Sequence, residues 1–140
     1  MRLAVLDTNV IVSSGLKPRG VCAGIVLDWV IPSRVRAVTC PSVIAEYFEV
    51  VRRPKFARFR FPPPWLDDLI DGSMQLGDPP PWPHLLPDPS DEVFLALAKM
   101  SGAWLVTGNL KHFPVKMRGG VVMISPREYL EWLEKGSQPG

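Results

Sequence analysis

Cysteine and histidine are scarce in these 140 residues, two of each, and the scarcity excludes several chemistries. Cys22 and Cys40 have no CxxC spacing, so neither a zinc site nor a disulfide scaffold is encoded, and two reduced, small buried side chains are expected. His84 and His112 stand alone, and no serine–histidine–acid arrangement can be read. Charge of one sign is also missing. Sixteen Lys and Arg against 14 Asp and Glu leave +2, too little to hold a long duplex or an anionic membrane by bulk attraction, so any basic footprint must be local. No apolar run approaches the roughly 18 residues of a membrane helix, and Asp7 interrupts the N-terminal apolar stretch too early for a secretion signal. The expectation is a cytoplasmic protein with no membrane contact, one domain over 1–135 and a short flexible tail over 136–140.

Proline, by contrast, is abundant. Ten of the 16 prolines fall within 54–89, including two triplets at 62–64 and 79–81. Fixed φ and missing N–H donors exclude a continuous helix or a central strand there. Between the triplets, Trp65, Leu66, Leu69, Ile70 and Met74 recur at helical spacing, which predicts one amphipathic helix over 65–76 flanked by stiff arms.

Elsewhere strand and helix signals alternate. Residues 3–6 (LAVL) are a short apolar run closed by Asp7-Thr8-Asn9, which predicts a strand buried on both faces. Helical patterns cover 21–30, 42–53, 90–100 and the segment from Pro126, and strands are predicted at 37–40, 104–107 and 121–124. Parallel neighbours need helical crossovers, so this order predicts a three-layer α/β/α sandwich around a mostly parallel sheet. Ligands of such sheets sit beyond the carboxyl ends of the strands, where Asp7 and Asn109 fall.

Three acids stand where a solvated surface would not put them. Asp7 closes a doubly buried strand and must be paired, hydrogen-bonded or bound to a cation; Thr8 and Asn9 can supply some of those bonds. Glu46 borders the apolar arc of its helix, whereas Glu49 points away from it. Asp91 falls between Phe94, Leu95 and Ala98 on the helical wheel, although Asp88-Pro89-Ser90-Asp91 also makes an ordinary helix start, with Asp88 as N-cap. Three acids from separate regions at one sheet edge repel one another unless a cation neutralises them. Mg²⁺ or Mn²⁺ prefers such oxygen ligands and can activate water beside a phosphoryl group, so the chemistry implied is phosphodiester hydrolysis.

Residues 3–12 (LAVLDTNVIV), 41–56 (PSVIAEYFEVVRRPKF), 88–98 (DPSDEVFLALA) and 103–113 (AWLVTGNLKHF), in this order and spacing, resemble the PIN-domain family, specifically the toxin components of prokaryotic toxin–antitoxin pairs. The resemblance implies a PIN-like sandwich and metal-dependent ribonuclease activity. It places the family's acids on Asp7, Glu46 and Asp91, which would hold the metal, and its supporting threonine on Thr107. The last acidic position is Asn109 here, which keeps an oxygen ligand but removes a charge, so one ion is expected rather than two. The resemblance further implies RNA as substrate, a cognate antitoxin as partner, and a homodimer.

Arg52, Arg53, Lys55, Arg58 and Arg60, interleaved with Phe56, Phe59 and Phe61, form the one basic cluster. The first four are the candidates for RNA contact, with the phenylalanines either stacking on bases or packing inward. Trp65 and Trp82 are candidates for a partner surface. Two other readings stay open: a PIN-fold RNA- or antitoxin-binding module weakened by Asn109, and an RNA-processing nuclease without an antitoxin. A phosphohydrolase with an aspartyl nucleophile is disfavoured, because Asn9 stands where its second acid is wanted.

Overall fold

The structure is a computed structural model and describes residues 2–136. Five short strands, β1 (Leu3–Leu6), β2 (Arg36–Thr39), β3 (Met74–Gln75), β4 (Trp104–Val106) and β5 (Met123–Ile124), form one sheet in the order β3-β2-β1-β4-β5, with every pairing parallel. Ala4, Val5 and Leu6 have no solvent exposure, which is why β1 takes the centre. Among the described residues six α-helices complete the sandwich: α1 (Thr8–Leu16), α2 (Val21–Ile25), α3 (Pro41–Val51), α4 (Leu66–Asp71), α5 (Glu92–Ser101) and α6 (Pro126–Gly136). α5 lies across β1, β2 and β4 with α3 beside it, while α2 packs against α1 and α6. Phe94, Leu95 and Leu97 of α5 are fully buried on this sheet, each such side chain contributing about 1.5–3 kcal/mol. Gly102 ends α5 at φ 76°, a left-handed position that favours glycine.

The sequence reading needs correction in several places. α1 carries no helical signal of its own, because TNVIVSSGL is rich in β-branched and small polar residues; burial of Val10 and Ile11 holds it. The helix expected over 21–30 changes at Ile25 into a wider π turn, Val26–Val30. The helix expected over 65–76 stops at Asp71. Met74 and Gln75 instead pair with Val38 and Thr39, and Leu76 N–H donates to Thr39 at 2.9 Å, because the open edge of β2 offers these groups partners that a helix beyond Gly72 would not. Pro89–Asp91 is a tight turn of 3-10 type before α5, and Asp88 caps it, accepting from Ser90 N–H. α6 runs through Gly136, where the sequence reading starts the tail, and 137–140, the rest of that expected tail, lie outside the described residues.

Cys22 and Cys40 are unpaired thiols, the first half-buried and the second buried. No single helix among the described residues is long and apolar enough to cross a membrane; α1 together with 21–30 reaches that hydropathy only as a pair bent by 102°.

Candidate active site

The carboxyl end of β1 sets the site. Asp7 N–H is tied to Val106 O at 3.0 Å, and Asp7 stands at the N-cap of α1 with only 5% exposure. Its Oδ2 accepts from the Thr107 hydroxyl at 2.7 Å, and Thr107 Oγ1 in turn accepts from Asn109 N–H at 3.0 Å. Thr107 is thus a buried clamp joining the end of β1 to the loop after β4. Asn9 makes a second strap, its Oδ1 accepting from Gly108 N–H at 3.3 Å.

α3 is fixed to the same strand end. The buried Tyr47 hydroxyl donates to Leu6 O, which brings Glu46, one residue earlier, to Asp7. The Thr8 hydroxyl donates to Glu46 Oε2. Asp91 arrives from the turn before α5. Its Oδ2 is buried without a hydrogen-bond partner; His112 Nδ1 is 3.6 Å away, beyond hydrogen-bond reach.

Asp7, Glu46, Asp91, Asn109, Thr8 and Asn9 line one open cleft of about 500 Å³. Burial is the leading cause that raises all three carboxyls above their ordinary range. For Asp7 the Thr107 hydroxyl and the amides of Asn9 and Thr8 offset part of it. For Glu46 the Thr8 hydroxyl opposes burial while the Asp7 charge adds to it. Asp91, with no bond to offset burial and with Asp7 and Asp88 adding repulsion, is pushed up to about 6. The Asp7 charge disfavours ionisation of Glu46 and Asp91, and the Glu46 charge that of Asp91, the condition a divalent cation relieves. Among the described residues no three His, Cys, Asp or Glu side chains are drawn together as a closed metal cluster; Asp7 and Glu46 each accept a bond from a threonine hydroxyl. The donor set is nevertheless all oxygen, as a hard ion needs, and Asp91 Oδ2 is an unmatched acceptor at the cleft. Such a donor set suits a hard divalent cation.

The sequence-predicted RNA contacts separate. Arg53 and Lys55 line the cleft, whereas Arg52 lies against the Phe48 ring at 4.6 Å, Arg58 lies against Phe59 at 5.1 Å, and neither lines the cleft. Of the phenylalanines, Phe56 is buried and stacks on Phe61 with centroids 5.0 Å apart, so the inward-packing alternative holds for that pair, while Phe59 is exposed. Sequence reasoning missed Lys17, which lines the cleft from the end of α1; with α1 unread, nothing in the sequence connected Lys17 to Asp7. Trp65 is half-buried against the core. Trp82 donates its indole N–H to Met117 O at 3.0 Å and lines an apolar groove of about 450 Å³ with Pro80, Pro81 and Met100.

A family model described as a PIN domain matches residues 3–111. Among solved structures, FitAB bound to an IR36 DNA fragment is similar at a TM-score of 0.54 and 15% identity, the alignment covering 88% of this chain and 94% of that one; it bears on the fold. No curated protein matches by sequence.

Proposed function

Because the chain belongs to the PIN-domain family, whose members are generally nucleases, we propose that it is a metal-dependent endoribonuclease and the toxin of a toxin–antitoxin pair. The observation that carries this reading is Asp91 Oδ2, a buried acceptor without a hydrogen-bond partner in the cleft that Asp7 and Glu46 share. Asp7, Asp91 and Glu46 would hold Mg²⁺ or Mn²⁺, with Asn109 as a neutral oxygen ligand, one ion being favoured by the missing fourth charge. The chemistry such an ion supplies is neutralisation of phosphate charge and acidification of water.

The chain's own residues do the positioning. Thr107 holds Asp7 Oδ2 in place from the buried side, and Thr8 holds Glu46 Oε2. Glu46 Oε1 is left to orient the attacking water and take its proton. A cognate antitoxin and a homodimer follow from the motif resemblance and belong to the same proposal, as does a cytoplasmic location, the expectation from the sequence's lack of a membrane-length apolar run.

Asn109 favours a second reading, a PIN-fold module that binds RNA without cutting it. Incubating a labelled total-RNA pool with the protein in Mg²⁺, Mn²⁺ or chelator, beside Asp7→Asn, separates the two. Cleavage that needs the metal and disappears with Asp7→Asn is the expected result. Intact RNA in every lane, from folded protein, makes the binding module the working reading. Absence of an antitoxin gene beside this one would favour an RNA-processing nuclease instead.

A further inference from the structure

The cleft has a direction. On α1, beyond its first residue Thr8, the lining residues are Asn9, Val12, Ser13 and Leu16, spaced i, i+3, i+4, i+7 and therefore one helix face. On α3 and just beyond it they are Glu46, Val50 and Arg53, again at i, i+4, i+7. The two helices pack against each other, so the cleft is a groove running along both. The stretch of each that lines the groove runs from an acid, Asp7 at the N-cap of α1 or Glu46 in the middle of α3, to a cation just past the helix end, Lys17 or Arg53. Lys55 joins the cationic end, and the middle is floored by Val12, Leu16 and Val50. At about 1.5 Å per residue, the ten steps from Asp7 to Lys17 span about 15 Å.

We infer that Lys17, with Arg53 and Lys55, grips a phosphate of the substrate strand about four nucleotides from the bond that is cut. The inference rests on the ribonuclease reading and deepens it. A polyanion cannot lie against three acids without a cation, but it gains from three cations at the other end of the same groove. With about 3.4 Å per stacked nucleotide, 15 Å corresponds to roughly four nucleotides; the apolar floor between offers those phosphates no charge. Lys17 also stands at the negative end of the α1 dipole, where a cation is favoured. That does not explain why Arg53 and Lys55 meet it there. The Arg53–Glu49 pair, 2.7 Å apart and exposed, is of the weak kind that exchanges readily for a phosphate. Phe56 also borders this end of the cleft, but its ring packs inward against Phe61, so contact here is made chiefly to phosphate and is tolerant of sequence.

The test is equilibrium binding of the whole chain, with Ca²⁺ in place of Mg²⁺ or Mn²⁺ to neutralise the acids and with the RNA checked for integrity after each titration, to an unstructured 12-nucleotide RNA and to a three-nucleotide RNA across a salt series. Lys17→Met is expected to weaken the 12-nucleotide complex several-fold at low salt and to flatten the slope of log K against log salt by about 0.7, the share of one single-strand phosphate contact. The three-nucleotide RNA, too short to reach from the acids to Lys17, should bind Lys17→Met and the unsubstituted chain alike. Lys135→Met, on exposed α6, controls for net charge and should leave the slope in place. An unchanged slope in Lys17→Met, or equal weakening for both RNAs, overturns the inference while leaving metal-dependent cleavage standing. Failure of the unsubstituted chain to bind the 12-nucleotide RNA overturns the inference and the RNA reading together.

Discussion

Replacing Asp91 by Asn should make this protein more stable while removing its activity. The folded state holds the Asp91 carboxyl at about 6, against an ordinary 3.8, because burial and the charges of Asp7 and Asp88 disfavour its ionised form. A shift of about two pKa units corresponds to about 3 kcal/mol between the two protonation states, and solvent in the open cleft screens part of it, leaving about 1–2 kcal/mol. The raised value means that the folded state binds this proton more tightly than the unfolded state. The wild type therefore loses stability as pH rises from about 4 to about 6 and carries the full penalty above that. Asparagine carries no such penalty. In thermal unfolding with chelator at pH 7.5, Asp91→Asn should melt about 3–8 °C above the wild type, and the gap should close as the pH approaches 4. Adding Mn²⁺ should narrow it from the other side, since the wild type gains a ligand that the variant holds less well. A variant that melts at or below the wild type at pH 7.5, or a gap that does not depend on pH, would refute the account of the cleft as a set of mutually repelling acids.

Restoring the missing charge with Asn109→Asp should tighten Mn²⁺ binding in calorimetry several-fold and lower the melting temperature in chelator; unchanged affinity would show that position 109 lies outside the ligand set. Thr107→Val keeps the shape but removes the donor to Asp7 Oδ2 and the acceptor for Asn109 N–H. It should cost about 2–4 kcal/mol in urea denaturation at pH 7, and a cost below 1 kcal/mol would mean that the buried clamp is not what fixes Asp7.

The parts of this fold that the sequence disclosed are those whose local pattern agrees with their final surroundings. Residues 3–6 are apolar on both faces and sit at the centre of the sheet, and Val43, Tyr47 and Val51 recur at helical spacing because α3 buries one face. The parts that stayed hidden depend on distant partners. TNVIVSSGL is helical because its surroundings bury it, against its own propensity, and Met74 and Gln75 are a strand because β2 has an open edge. The same division holds at the cleft. Asp7, Glu46 and Asp91 could be placed there because each conflicts with its local pattern or closes a buried strand. Lys17 is an ordinary exposed lysine in its own segment, and only the path of α1 connects it to Asp7. Arg52 and Arg58 differ from Arg53 and Lys55 only in the direction the chain takes after Val51, which composition does not specify.

The central position of β1 has a consequence for when, during synthesis, the cleft can exist. Asp7 lies at one end of a strand flanked by β2, from the first third of the chain, and by β4, from the last. A ribosome that has released only the first 60 residues has made Asp7 and Glu46, but not Asp91, not Thr107 to clamp Asp7, and not the strand that closes the far side of the cleft. The pairings that build the site join residues about a hundred positions apart, so they form among the last steps of folding. The growing chain therefore lacks the full cleft, which is completed only when β4 docks on β1.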